Sequence, residues 1–61
     1  MAKINVSIVD DHTLFRKAMI NLIKVFPRVG EVTEAGNGRD FIEQSKKKWP
    51  DVVLLDLEMP R

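Results

Sequence analysis

Cysteine is absent from this 61-residue chain, and histidine and tryptophan each occur once. The lack of cysteine excludes a disulfide framework and thiolate metal sites, and a single histidine excludes a His-rich zinc site. No uninterrupted apolar run is longer than four residues, so neither a membrane span nor a signal-peptide core is expected. We therefore expect a soluble, cytoplasmic chain with no membrane partner.

An excess of charge of one sign is also lacking, since 10 lysine and arginine residues stand against 9 aspartate and glutamate residues. This balance gives no reason to expect a nucleic-acid-binding surface, and the longest basic run is only Lys46-Lys47-Lys48. Apolar residues make up 44% of the sequence, which is ordinary for a globular domain. A chain of this length forms one domain at most, and its core alone rarely supplies more than about 3–5 kcal/mol, so a staple or a partner is expected.

The first half of the chain predicts one strand and one helix. Residues 3–9 alternate apolar and polar side chains and are rich in β-branched residues, which favours a strand. From Thr13 the apolar residues repeat with helical spacing, and Pro27 ends this helix near Val25. The residues predicted to pack on the sheet are Leu14, Phe15, Met19 and Ile23. Those predicted to lie mostly on the solvent side are Arg16, Lys17, Asn21 and Lys24.

The second half predicts a strand, a helix and another strand. Residues 31–35 are of mixed polarity, which suits a strand at the outer edge of a sheet. Asn37 is predicted to cap a helix from residue 39 to about residue 48, with the lysine run at its C-terminal end. The apolar run 52–55 is typical of a strand covered on both faces, Trp49 is expected to cap the core, and residues 57–61 are expected to form a loop.

The resulting β-α-β-α-β order predicts an α/β fold with a three-stranded parallel sheet and right-handed crossovers. If the two crossovers run to opposite sides of the first strand, the strand order is 2-1-3 and the helices cover opposite faces. The boundary between the first and third strands is then a topological switch point, where ligands bind beyond the carboxyl ends of the strands.

This topology gathers Asp10, Asp11 and Asp56 at one edge of the sheet. Carboxylates that lie close together repel one another unless a cation neutralises them, and Mg2+ prefers such oxygen ligands. A carboxylate beside a bound metal can attack phosphorus, and Asp56 is the best candidate for this nucleophile. His12 is interpreted as an exposed residue of the first helical turn and is given no chemical role.

The motifs Asp10-Asp11 and Leu54-Leu55-Asp56-Leu57-Glu58-Met59-Pro60 together resemble the receiver domain of two-component response regulators. The resemblance implies the first half of a flavodoxin-like receiver fold, so residues 1–61 are expected to form one incomplete, truncated receiver domain. It implies that a sensor histidine kinase phosphorylates Asp56 in the presence of Mg2+. It also implies that Asp56 and Asp11 bind the metal, that Asp10 acts mainly through water, and that Glu58 contributes its backbone carbonyl.

The run from Asp10 to Arg16 is similar to receivers that precede a DNA-binding helix-turn-helix domain. Contact with DNA is therefore expected only through an output domain that this segment does not contain. The family's second half brings a Ser or Thr and a Lys to the phosphoryl group, so weak phosphorylation is expected of this segment. The chain is expected to be a fragment, or the ordered part, of a longer receiver that acts as a signalling switch and not as an enzyme.

The sequence is also consistent with two other functions. The half-domain is expected to form a homodimer through the open edge of its third strand, and it then acts as an interaction or assembly module. Asp56-Leu57-Glu58 is also loosely similar to the motif of phosphatases that use an aspartyl nucleophile, although those enzymes have an Asp at the second acidic position.

Overall fold

The computed structural model describes residues 3–55, which contain three strands and two helices. These elements are β1 (Ile4–Val9), α1 (Thr13–Ile23), β2 (Val29–Ala35), α2 (Gly38–Ser45) and β3 (Val52–Leu55). All strand pairs are parallel and the strand order is β2-β1-β3. The predicted α/β class, element order and strand order are therefore confirmed. Neither helix of the described segment is long and apolar enough to cross a membrane.

The core lies around the central strand β1, whose residues Val6, Ser7, Ile8 and Val9 are all buried. Val6 and Ile8 form its centre together with Ile20 of α1. Partly buried apolar residues surround these three; they are Met19, Ile23, Val29, Val32 and Leu54. Among the described strands, β1 alone has a neighbouring strand on each side. This strand therefore contains most of the buried residues of the sheet.

The inward face of α1 differs from the predicted stripe. Ile20 is its buried residue, whereas Leu14 is 84% exposed and Phe15 is 53% exposed. Met19 and Ile23 do pack on the core, as predicted. The inward row therefore has the helical spacing 16, 19, 20 and 23, and it begins with the largely buried side chain of Arg16. The prediction that Arg16 faces solvent is wrong, because its guanidinium donates hydrogen bonds to the Asp10 carbonyl oxygen and to the Glu34 carboxylate.

Strand β2 begins two residues earlier than predicted, at Val29. The ladder between β1 and β2 is irregular between Ile4 and Val6, and the Asn5 side chain accepts a hydrogen bond from the Glu31 backbone N–H at this point. Gly30 allows the close approach, since a Cβ on this residue would lie 2.9 Å from Asn5 Oδ1. The mixed polarity of β2 does reflect an edge strand, as predicted.

Helix α2 has the predicted N-terminal cap. The Asn37 side chain accepts a hydrogen bond from the Asp40 backbone N–H at 2.8 Å. The helix ends at Ser45 and not near Lys48, so Lys46 is the C-cap and the other two lysines follow the helix. Its first residue is Gly38.

Strand β3 is the largest departure from the sequence prediction. It was expected to be covered on both faces, but Val52, Val53 and Leu55 are 41%, 36% and 56% exposed within the described segment. Both helices pack on β1 and β2, and neither packs on β3. The faces of β3 are therefore left largely exposed within residues 3–55. Trp49 is 72% exposed, contrary to the predicted cap over the core, and it makes an edge-on contact with the Phe41 ring.

Candidate functional site

The ends of β1 and β2 lie level with Leu55, the last residue of β3 that the structure describes, and the candidate site lies at this level. Val9 pairs with Ala35 on one side and with Leu55 on the other. Asp10 follows Val9 directly, and its backbone N–H donates to the Ala35 carbonyl oxygen at 3.1 Å. The predicted switch point between β1 and β3 therefore lies next to Asp10, where parallel sheets commonly bind ligands.

Asp10 is the buried carboxylate of the site, with only 3% of the residue exposed. Its Oδ1 accepts a hydrogen bond from the His12 backbone N–H at 2.8 Å. His12 is the N-cap of α1 and makes no side-chain capping bond of its own. The Asp10 carboxylate thus fixes the turn through which the chain enters α1.

Asp11 and His12 form the exposed part of the site, and each side chain is 60% exposed. His12 Nδ1 lies 3.0 Å from Asp11 Oδ1 and 3.5 Å from Asp10 Oδ1. One potential ligand atom from each of Asp10, Asp11 and His12 lies within 4.8 Å of the others. No chemical role was predicted for His12, although it directly follows two aspartates in the sequence.

The donor set at this edge fits a hard divalent cation. Asp10 and Asp11 supply carboxylate oxygens, which Mg2+ prefers, and the exposure of Asp11 leaves room for the water ligands that Mg2+ retains. Asp56 and Glu58, the other predicted ligands, lie outside the residues that the structure describes. Asp56 is the residue that follows Leu55 in the sequence.

Arg16 and Glu34 belong to the surroundings of the site and were missed by the sequence analysis. Arg16 Nη1 donates to the Asp10 carbonyl oxygen at 2.6 Å, and its Nε donates to Glu34 Oε1 at 2.7 Å. Lys17 Nζ donates to the other carboxylate oxygen of Glu34 at 2.8 Å. Hydrogen bonds from Lys17 and then Arg16 hold the pKa of the Glu34 carboxyl below its ordinary value of 4.5. The helical spacing of Arg16 with Ile20 and Ile23 was the available signal for its inward position.

Comparison with known proteins agrees with this geometry. The family model for the response regulator receiver domain matches residues 6–61. Protein-glutamate methylesterase/protein-glutamine glutaminase 1 of Oleidesulfovibrio alaskensis is 45% identical over 95% of this chain. The corresponding protein of Alkalilimnicola ehrlichii is 40% identical over the same share. The transcriptional regulatory protein DegU of Brevibacillus brevis is 36% identical over 97% of the chain.

These matches cover small parts of the relatives. The chain spans 16%, 15% and 25% of their respective lengths. No solved structure is significantly similar to the chain. The names of the relatives denote both an enzyme and a transcriptional regulator, so they share the matched segment and not one output activity. The match of the family model over most of the sequence, on a parallel 2-1-3 sheet, establishes that this chain belongs to the response regulator receiver domain family.

Proposed function

We propose that this chain is the phospho-accepting part of a two-component signalling receiver, with Asp56 as the acceptor. The observation that carries the proposal is the register of β3 on β1. Val9 and Leu55 are paired in the ladder, and Asp10 and Asp56 are the residues that follow them in the sequence. A nucleophile that follows Leu55 is thus expected beside the acidic pair that follows Val9.

Mg2+ is the cation that this set of ligands would take. Asp11, Asp56 and the backbone carbonyl of Glu58 would bind it directly. Asp10 would act mainly through water, because its Oδ1 already accepts the His12 backbone N–H. When bound, the metal neutralises negative charge on the phosphoryl oxygens and so allows a carboxylate to approach phosphorus.

The transfer step joins an oxygen of the Asp56 carboxylate to phosphorus. The bond between phosphorus and the donor's histidine nitrogen breaks, and its electron pair returns to the imidazole ring. Asp11 and His12 are both 60% exposed, so the described part of the site lies at the protein surface. An open site of this kind suits a phosphohistidine carried by another protein, and a sensor histidine kinase is the proposed partner. The predicted cytoplasmic location forms part of this proposal.

We also propose that the chain has a signalling role and not an enzymatic one. DNA would then be contacted only through an output domain. The methylesterase name of several relatives concerns proteins of which this chain spans about one sixth. The β1 to α1 run similar to receivers with a helix-turn-helix output favours a transcriptional output. One relative, from Brevibacillus brevis, is named a transcriptional regulatory protein.

Phosphorylation by a small donor tests the acceptor directly. Acetyl phosphate with Mg2+ is expected to add one phosphoryl group to Asp56, as read by intact mass and peptide mapping. Asp56→Asn should abolish the mass gain, while the matched variant Glu43→Gln, which alters an exposed carboxylate of α2, should preserve it. Labelling that persists in Asp56→Asn would contradict the assignment, and sustained hydrolysis of the donor would favour a phosphatase instead.

A second candidate function is assembly through β3. Within residues 3–55 β3 pairs only with β1, so its other backbone edge is open to another strand. The exposed apolar side chains of β3 would be covered by such a partner. Association that is unchanged in Asp56→Asn would support an assembly role that is independent of phosphorylation.

A further inference from the structure

Arg16 joins three parts of the fold that surround the acidic pair. It belongs to α1, donates from Nη1 to the Asp10 carbonyl oxygen, and donates from Nε to the Glu34 carboxylate of β2. The two distances are 2.6 and 2.7 Å, and the Arg16 side chain is only 14% exposed. Its planar guanidinium makes both bonds at once, which gives the contact a fixed orientation.

The guanidinium contacts the backbone of Asp10 and the carboxylate of Glu34. Glu34 lies on β2, outside the acidic pair, and it also accepts a bond from Lys17. Without Glu34, the Arg16 guanidinium would keep only its bond to the Asp10 carbonyl oxygen. Its orientation would then no longer be fixed at two points.

We infer that Arg16, oriented by Glu34, is a positioning residue for the cation site at Asp10 and Asp11, an inference that rests on the proposed function. Arg16 acts through the Asp10 carbonyl and fixes the direction in which the chain leaves β1. That direction sets the spacing between the buried carboxylate of Asp10 and the exposed carboxylate of Asp11. The pair is then arranged before a cation arrives, so less ordering is required on binding.

The sign of the mutational effect separates positioning from plain electrostatics. Removing the positive charge of Arg16 lowers the repulsion felt by a nearby cation, so Coulomb's law alone predicts tighter binding. Loss of positioning predicts weaker binding. Lys17 provides the matched control, because its ammonium group also donates to the Glu34 carboxylate. Unlike Arg16, it makes no hydrogen bond to Asp10 within residues 3–55.

The test is a Mg2+ titration of the whole chain, followed by the amide resonances of Asp10 and Asp11. Urea unfolding of each variant provides the folded fraction, by which every dissociation constant is corrected. Arg16→Gln is expected to weaken Mg2+ binding about tenfold, the lower end of the usual effect of groups that orient metal ligands. Arg16→Lys should also weaken binding, because one ammonium group cannot reproduce the two-point contact.

Two further variants complete the test. Glu34→Ala should weaken binding because it removes the acceptor of the Arg16 Nε and leaves the guanidinium with one fixed contact. Lys17→Gln should leave the dissociation constant within about twofold of wild type, because Asp10 keeps its contact. If the wild-type chain binds Mg2+ and folded Arg16→Gln binds it equally well or more tightly, the positioning role is wrong but the cation site stands. Absence of Mg2+ binding by the wild-type chain would overturn both this role and the proposed cation site.

Discussion

Val9, the last residue of β1, is the direct partner of Leu55 in the parallel ladder between β1 and β3. Val9 also pairs with Ala35, the last residue of β2. The loop after β1 therefore begins at the level of Leu55, the last residue of β3 that the structure describes. This alignment is the structural basis for expecting Asp10, Asp11 and Asp56 to act as one group.

The first prediction concerns the metal. Mg2+ should bind weakly and shift the amide resonances of Asp10 and Asp11, since two adjacent carboxylates supply hard oxygen ligands. Asp11→Ala should abolish the response because it removes the exposed ligand. Glu43→Gln is the control, as it removes one carboxylate on α2 and leaves the acidic pair intact. Resonances that do not move at millimolar Mg2+ would refute the metal site.

The second prediction concerns acid stability. The pKa of Glu34 is lowered in the folded chain by its bonds to Lys17 and Arg16. The free energy of unfolding should therefore include a favourable contribution above pH 4.5 that is lost as the pH falls through the lower folded value. The Glu34 side chain is 32% exposed, so the contribution should resemble a surface ion pair at about 0.2–1 kcal/mol.

Urea unfolding between about pH 2 and pH 7 measures this contribution, because the ion-paired Glu34 carboxylate is protonated only below pH 4.5. Glu34→Gln should lose stability at neutral pH and should show a shallower decline in acid. Glu43→Gln retains Glu34 with both of its basic partners and should follow the wild-type curve. Parallel curves for the wild type and Glu34→Gln would mean that the ion pairs add nothing to stability.

The third prediction concerns two glycines with opposite surroundings. A Cβ at Gly30 would lie 2.9 Å from Asn5 Oδ1 and 3.0 Å from the Lys3 Cβ. Asn5 cannot move freely, because its Oδ1 accepts the Glu31 backbone N–H. Gly30→Ala should therefore lower the free energy of unfolding by about 1–3 kcal/mol, the usual cost of forced crowding.

Gly38→Ala is the matched control for this prediction. Gly38 begins α2, and a Cβ there meets no heavy atom within 4 Å apart from its chain neighbours and the backbone of its own helix. Alanine should stabilise the chain by about 0.4–1 kcal/mol, because it restricts the unfolded state and favours the helix. Equal effects of the two substitutions on the urea midpoint would contradict a steric role for Gly30.

Much of this fold is predictable from local sequence patterns. Alternation along residues 3–9, helical spacing after Thr13 and the cap at Asn37 each depend on neighbouring residues, and each is confirmed. The strand order 2-1-3 was predicted on the condition that the two crossovers run to opposite sides of β1, and the structure meets this condition. Element ends were less accurate, because α2 stops at Ser45 where the chain turns toward β3.

The burial of individual side chains was harder to predict, since it depends on what lies opposite each residue. Leu14 is apolar yet exposed, whereas the charged Arg16 is largely buried because Asp10 and Glu34 provide its polar partners. The acidic pair was identified from its place after a strand. The basic side chain beside it was missed, because Glu34 is distant in sequence and comes near only through the parallel pairing of β2 with β1.

The last prediction concerns association through the free side of β3. Within residues 3–55, β3 pairs only with β1, so its other edge has unpaired backbone N–H and C=O groups. The strand contains no charged residue and no proline, which are the usual protection of an exposed edge. We expect two copies to pair through β3 about a two-fold axis, or the chain to aggregate, because a core of this size is marginal alone.

Sedimentation equilibrium at micromolar concentration measures this association, and two lysine substitutions separate its causes. Val53→Lys places a charge on the edge strand and should give a monomer that is unfolded or much less stable. Leu14→Lys removes a more exposed apolar side chain, but from α1, so it should leave edge pairing intact. Equal loss of association in both variants would indicate general hydrophobic contact, whereas strand pairing requires the loss to follow Val53 alone. A wild-type chain that is a well-folded monomer with a cooperative melt would contradict the prediction, because the half-domain would then need no partner for its stability.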